Sequence, residues 1–370
     1  MSFNDLVEMS NRYGSDEEFV LAGGGNTSFK EDNVLYVKGS GVGLSVIKPE
    51  QFVAMDISKL RDMVERVYPE SMSNSEREEA ALSDMMAARM PGEEAKRPSV
   101  ESILHAIFPY KLVLHVHPPL INGLTCGVNG KEACVKLFGD KVVWIELTKP
   151  GLVLSQVCYK VFNEYTEKHG NHPQIAILQN HGIFVAADTV VEIDRLMDNV
   201  VEKIKGKIKE APDFNDATYD KELAERLNAI IKGLYSSDDS AVAQFCTNKQ
   251  VLKFVKDAEA FKPVGKPFSP DHIVYCKDES ILIDPSDDVT AKFASYEAKK
   301  GYKPKIVAVL GLGFFALGMS DKEASQSRAL FLDAVKIATY AQSFGGANPL
   351  NDEFTDFILN WEVEAYRIKA

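Results

Sequence analysis

LVLHVHPP (residues 112–119) and IAILQNHGIF (residues 175–184) decide how this 370-residue chain is read. In the first, His115 and His117 alternate on an apolar run, so on a strand both imidazoles leave the same face. In the second, two apolar runs flank an Asn-His-Gly corner that carries His181, and Gly182 permits a sharp reversal there. Three neutral imidazoles with one open position make a catalytic rather than a structural zinc site.

Outward from these stretches, residues 111–117 and 141–147 are strand candidates. GLVLSQVCYKVFNEYTEKHG (151–170) reads as a helix, with Val157, Val161 and Tyr165 four apart and Gly170 at its end. A long helix is expected over 189–210. Upstream, EFVLAGGGNTSFKEDNVLYVKGSGVGLSVI (18–47) alternates short apolar runs with Gly, Asn and Ser, as antiparallel strands joined by tight loops do. Helices are expected over 58–67, with Ser58 as N-cap and Leu60, Val64 and Val67 on one face, and over 75–89. Pro98 precedes a short helix in SVESILHAIF that closes at Pro109. The polar stretch APDFNDATYD (211–220) reads as a linker, dividing the chain into units 1–210 and 220–370.

The chain also matches itself. Residues 158–184 align with 289–315 at one constant offset, without a gap. Phe162 pairs with Phe293, Tyr165 with Tyr296, Gly170 with Gly301, Pro173 with Pro304 and Gly182 with Gly313. A helix, a strand, a Gly turn and a second strand are thus expected twice. Leu312 stands where the first copy has His181, so the C-terminal copy keeps the scaffold and lacks that ligand.

Glu101 opens the short helix that runs into the His115 strand, where it can reach a metal-bound substrate as a general base. Partial burial would raise its pKa. His105, four residues on, shares its helical face and can support it from behind or simply pack. GGGNTS (23–28) and KGSG (38–41) expose backbone N–H groups beside small hydroxyls and a lysine, which suits either an anion nest or hairpin turns. Neither has the G-x-G-x-x-G spacing of a dinucleotide site, and no G-x-x-x-x-G-K-[ST] occurs. His169 and His172, spaced H-x-x-H after a helix, allow a second metal site but fit a solvated turn better.

The apolar share of 45% and the charged share of 26% are those of a globular protein. A net charge of −12 repels a phosphate backbone, so nucleic acid is not an expected partner. No run approaches the length of a membrane span, and the N-terminus lacks the pattern of a signal peptide. Five cysteines without a C-x-x-C pair read as reduced, packed thiols, and a cytoplasmic location is expected.

GGGNTSFK, KGSG, PSVE, HVHP and LQNHGIF occur here in the order of the motifs of the class II aldolase/adducin family, which the chain resembles over residues 23–184. The C-terminal segment, including GLGFF and the closing LNWEVEAYRIK, is similar to the aldolase half of bifunctional rhamnulose-1-phosphate aldolase/lactaldehyde dehydrogenases, and the dehydrogenase activity is expected to be absent. The resemblance implies an α/β fold with a central, mostly antiparallel sheet flanked by helices, and a C-terminal unit that is a degenerate repeat.

By that resemblance His115, His117 and His181 bind Zn2+, and Glu101 is the catalytic acid/base. Asn26, Ser28, Ser40, Gly41 and Ser99 fall at the positions that bind the substrate phosphate. The expected reaction is reversible aldol cleavage of a deoxyketose 1-phosphate of the L-rhamnulose or L-fuculose type, giving dihydroxyacetone phosphate and lactaldehyde, with zinc as Lewis acid. The family's catalytic tyrosine lies outside the matched motifs. One departure stands out: Ser99 is followed by Val100 where the shorter fuculose-phosphate aldolases carry a second serine, so one phosphate hydroxyl is lost. The family also contains sugar-phosphate 4-epimerases, sugar-acid enzymes and non-catalytic adducin-like assembly modules. Its cyclic homotetramers make a homo-oligomer, acting on a small phosphorylated sugar, the expected state.

Overall fold

In the computed structural model, which describes residues 3–69, 71–236 and 240–361, the chain forms two units. One consists of residues up to Thr125 together with Gly130–Lys207; the other takes Cys126–Asn129 and the chain from Ile208 onward. From residue 362 the closing LNWEVEAYRIK lies outside the described residues.

The first unit opens on a helix that the sequence reading did not anticipate, α1 (Phe3–Gly14). Strands β1 (Asn26–Glu31), β2 (Val34–Lys38) and β3 (Phe52–Asp56) follow, then helices α2 (Ile57–Val64), α3 (Asn74–Ala87) and α4 (Ser102–Ile107). Next come β4 (Leu112–Val116), α5 (Pro119–Thr125), α6 (Gly130–Phe138), β5 (Val143–Ile145) and α7 (Leu152–His169). The unit closes with β6 (Ile175–Leu178), β7 (Gly182–Ala187) and α8 (Val190–Lys205). Its strands lie in the order β3-β2-β1-β4-β7-β6-β5, antiparallel except for the β5–β6 pair.

Two helix signals needed correction. Asp56, not Ser58, caps α2, accepting from the Lys59 N–H, because a carboxylate at the strand end reaches the open turn first. Val67 falls beyond the helix and is 88% exposed, so it serves no core face. The α3 cap is Ser73, whose hydroxyl accepts from Glu76 N–H while Glu76 returns the bond.

The sheet is covered on both faces. Leu104, Phe108, Val113, Phe162 and Phe184 form one buried cluster between α4, α7 and the strands. On the opposite face Thr27 of β1 meets Ser10 of α1 at 2.7 Å. Alternation along β1 therefore sends Thr27 toward α1 and its neighbours Asn26 and Ser28 toward α4.

The second unit contains α9 (Lys221–Tyr235), β8 (Val242–Cys246), α10 (Lys249–Phe254), α11 (Ala258–Phe261), α12 (Pro270–Cys276) and β9 (Ile281–Ile283). It continues with α13 (Val289–Lys300), β10 (Ile306–Val309), β11 (Gly313–Gly318), α14 (Asp321–Ala341) and α15 (Asp352–Leu359). The sheet order β8-β11-β10-β9 repeats β4-β7-β6-β5, with the same parallel pair at the end. Gly170 and Gly301 both terminate their helices in the left-handed conformation, and Thr189 and Ser320 both cap the helix that follows. In the β4–β7 ladder His115 faces Phe184; in the β8–β11 ladder Phe245 faces Phe315, the residue matched to Phe184. Phe245 thus occupies the place of His115, Thr247 that of His117 and Leu312 that of His181.

All five cysteines are free, and all but half-buried Cys246 are buried. No described helix is long and apolar enough to cross a membrane.

Lys30 is a test of the β1 core. Its ammonium is buried and donates to the Tyr110 carbonyl at 2.9 Å. Burial, with Arg61 adding to it and Asp188 opposing, pushes the group down to about 7. The unfolded chain holds this proton up to about pH 10.4, so folding is disfavoured at neutral pH and the penalty fades as pH rises through that window. Lys30→Met should therefore raise Tm at pH 7 and lose most of that advantage by pH 10. An equal shift at both values would contradict the assignment.

Candidate metal centre

Strand β4 presents His115 and, one step past its end, His117; their ring centroids lie 4.6 Å apart. The β6–β7 corner brings His181 within 5.0 Å of His115 and 5.2 Å of His117, centroid to centroid. One nitrogen from each ring lies within 4.8 Å of the other two. Among the described residues no other His, Cys, Asp and Glu group is so placed.

The corner is built from two different backbone devices. Asn180 takes the positive φ of 53° that lets the chain turn, a conformation asparagine tolerates. Gly182 answers a second need. A Cβ there would stand 2.5 Å from the Val116 carbonyl and 2.6 Å from His117 Cδ2, so glycine is required for close approach rather than for reversal. Asn122 of α5 donates to the His181 carbonyl at 3.2 Å and accepts from Thr125 at 2.9 Å, which anchors the corner. No spacing in the sequence pointed to Asn122.

His115 is fully buried, and its ring stacks on Phe184 at 4.0 Å. Its Nδ1–H donates to the Ile183 carbonyl at 3.0 Å, which leaves the Nε2 lone pair facing the other imidazoles. Burial, reinforced by His117 and His181, holds this imidazole well below the usual range against the opposing pull of Glu101. A neutral ring with an aimed lone pair is what a metal ligand requires.

Glu101, the residue before α4, completes the cluster. Its Oε2 is 3.4 Å from His115 Nε2, and its Oε1 is 3.4 Å from His181 Nε2. Burial raises its pKa, as the sequence led one to expect. Positive charge on the imidazoles of His115 and His181 when protonated, the Asn26 N–H and charge on His117 outweigh that effect, and the net direction is down, to about 2. With the rings neutral, the Asn26 N–H is the pull that remains. The carboxylate is thus ionised. Asn26 donates to Oε2 at 2.6 Å, while buried Oε1 accepts no hydrogen bond.

Several of the other sequence candidates converge on the same region. The Ser99 N–H donates to the Lys38 carbonyl at 3.0 Å and the Ser40 N–H to the Arg97 carbonyl at 2.8 Å, bringing 38–41 against 97–99. Ser99 Oγ accepts from the Glu101 N–H at 3.3 Å. Ser40 is half-buried and Gly41 is exposed with φ +81°. Ser28 is fully buried and turns toward His105. Val100 packs on the apolar cluster under β2 and β3. His169 and His172 lie elsewhere: His169 stacks beside Tyr165, and His172 Nδ1 meets Thr166 Oγ1 at 3.1 Å.

Residues 4–205, more than half of the chain, match the class II aldolase and adducin N-terminal domain. The chain belongs to that family. An uncharacterized oxidoreductase of Bacillus subtilis, YuxG, is 25% identical over 411 residues, covering 98% of this chain, which spans only 58% of the relative's length. Among solved structures, the N-terminal class II aldolase domain of a conserved Thermoplasma acidophilum protein is 27% identical, covers 56% of this chain and 93% of its own, and superposes with a TM-score of 0.47. An L-fuculose-1-phosphate aldolase from Thermus thermophilus is 15% identical over 55% of this chain and 93% of its own, with a TM-score of 0.36.

The donor set fits a metal ion. Two nitrogens sharing one tetrahedral ion at 2.0–2.1 Å stand about 3.4 Å apart. The nitrogens here, from 2.9 Å for the His115–His117 Nε2 pair to the 4.8 Å limit of the group, bracket that value. His117→Ala should lose the bound metal, read by elemental analysis of purified protein; one retained equivalent would contradict the ligand set. Gly182→Ala should push His117 aside and weaken metal binding about 10–100-fold. Unchanged affinity would show that the close approach at Gly182 does not matter.

Proposed function

We propose that this chain is a zinc-dependent class II aldolase. Its substrate is a deoxyketose 1-phosphate of the L-rhamnulose or L-fuculose type, cleaved reversibly to dihydroxyacetone phosphate and lactaldehyde. The observation that carries this reading is a buried carboxylate 3.4 Å from two of three clustered imidazoles, in a chain of this family. His115, His117 and His181 would hold the ion, which when bound supplies Lewis-acid polarisation of the substrate oxygens.

The remaining work falls to the chain. Glu101 exchanges a proton with the substrate carbon through Oε1, the oxygen that accepts no hydrogen bond. Oε2 stays on Asn26, so the carboxylate does not rotate away. Ser40, Gly41, Ser99 and the remaining N–H of Asn26 are the proposed phosphate contacts, whereas Ser28, fully buried with its hydroxyl on His105, is left to support Asn26 from behind. A phosphate held there would fix the reacting end relative to Glu101. Val100 offers no hydroxyl and faces apolar side chains, so this nest works with fewer donors than that of the short aldolases. The unit over 220–370 is read as a second copy that kept the scaffold while Phe245, Thr247 and Leu312 replaced the ligands. A homo-oligomer is the proposed working state.

Two results test this reading. Zinc-loaded protein should release dihydroxyacetone phosphate from L-rhamnulose 1-phosphate or L-fuculose 1-phosphate, and a chelator should abolish the release. No release from either sugar would contradict it and favour an epimerase or sugar-acid enzyme. Glu101→Gln should keep its zinc yet lose at least about 100-fold in kcat; near-normal turnover would remove its acid/base role.

A further inference from the structure

We infer that His105 is a positioning residue for Glu101, acting through Asn26 in a one-directional hydrogen-bond relay that starts at Ser28. The inference rests on the acid/base role proposed for Glu101. Two spacings bring the four residues together. Asn26 and Ser28 are two apart on β1 and share a face, about 6.6 Å from one to the other along the strand. Glu101 and His105 are four apart, joined by the His105 N–H to Glu101 carbonyl bond of 3.1 Å, and share a helical face at about 6 Å. The two pairs interlock.

His105 Nδ1 lies 2.7 Å from Ser28 Oγ, and His105 Nε2 is hydrogen-bonded to Asn26 Oδ1. Asn26 Nδ2 donates to Glu101 Oε2 at 2.6 Å. Burial keeps the His105 ring neutral, and for a neutral ring only one set of directions satisfies all three bonds. A carboxylate accepts, so the amide must present its N–H to Glu101 and its Oδ1 to His105. Oδ1 also accepts, so His105 Nε2 must carry the proton. The neutral ring then accepts at Nδ1 from the Ser28 hydroxyl. Flipping Asn26 would set its oxygen against the carboxylate and leave His105 facing an NH2 group.

No member of the relay is more than 8% exposed, and Ser28 and His105 are fully buried. Water therefore cannot replace a missing link at small cost. Phe184 braces the arrangement from the side, with His105 edge-on at 5.6 Å and His115 stacked at 4.0 Å. The consequence for Glu101 is asymmetric. Oε2 is pinned, whereas Oε1 accepts no hydrogen bond and faces His181. Asn26 keeps a single N–H for a ligand, so its main service is orientation.

The test compares His105→Leu and His105→Gln with the zinc-loaded wild type, and adds a readout that needs no turnover. His105→Leu should lower kcat about 10–100-fold with zinc content unchanged and KM within about threefold. Gln can accept from Ser28 and donate to Asn26, so His105→Gln should recover part of that loss. Long-range 1H–15N spectra of the unliganded wild type should show His105 neutral at pH 7 with its proton on Nε2. A KM rise at unchanged kcat, a Gln variant no better than Leu, or an Nδ1–H or doubly protonated ring would each overturn the relay. If His105→Leu fails to fold, the Gln variant and the spectra still decide. If the wild type releases no dihydroxyacetone phosphate, the proposed function fails while the tautomer still reports on the relay.

Discussion

The register between β1 and β4 sets Asn26 directly opposite His115, and the site depends on that pairing. Because strand side chains alternate, a slip of one residue would carry Asn26 and Ser28 to the α1 face and replace them with Thr27. The register is held by what lies on either side: Thr27 meets Ser10 across one face, and Val113 and Phe184 fill the apolar cluster on the other. Burial of apolar side chains thus fixes the position of polar ones. His115 and the Asn26 that hydrogen-bonds Glu101 take their places from one ladder.

The second unit shows how little of this chemistry the scaffold itself supplies. Strand order, parallel edge pair, helix-ending glycine and helix caps all recur, yet the places of the three histidines hold Phe245, Thr247 and Leu312. Phe245 and Leu312 join the apolar cluster of that unit. Positions that hold clustered imidazoles in one copy pack on the apolar core, at Phe245 and Leu312, in the other. Chemistry is therefore carried by individual side chains on a tolerant frame.

What was legible in the sequence followed from period and punctuation. The alternation in LVLHVHPP put His115 and His117 on one face, and the constant offset between copies marked β6, β7, β10 and β11 with their helix-ending glycines. What was illegible depended on partners far away in the chain. Gly182 looks like a turn residue locally; only His117 and Val116, more than sixty positions earlier, reveal it as a close-approach glycine. Asn122 and α1 gave no signal, since an ordinary asparagine and an amphipathic start carry no local mark of function. The pKa of Glu101 was misjudged for the same reason. Burial and the three imidazoles were foreseeable, but the Asn26 bond to Oε2 and the 3.4 Å approach of the carboxylate to His115 and His181 were not.

One metal ion is proposed to sit among His115, His117 and His181. Crystals of the full chain grown with zinc and measured at the zinc absorption edge test it most directly. One strong anomalous peak per chain is expected, bonded at about 2.0–2.1 Å to three imidazole nitrogens, with His115 bound through Nε2. A peak elsewhere, or none at these three histidines in zinc-saturated crystals, would contradict it.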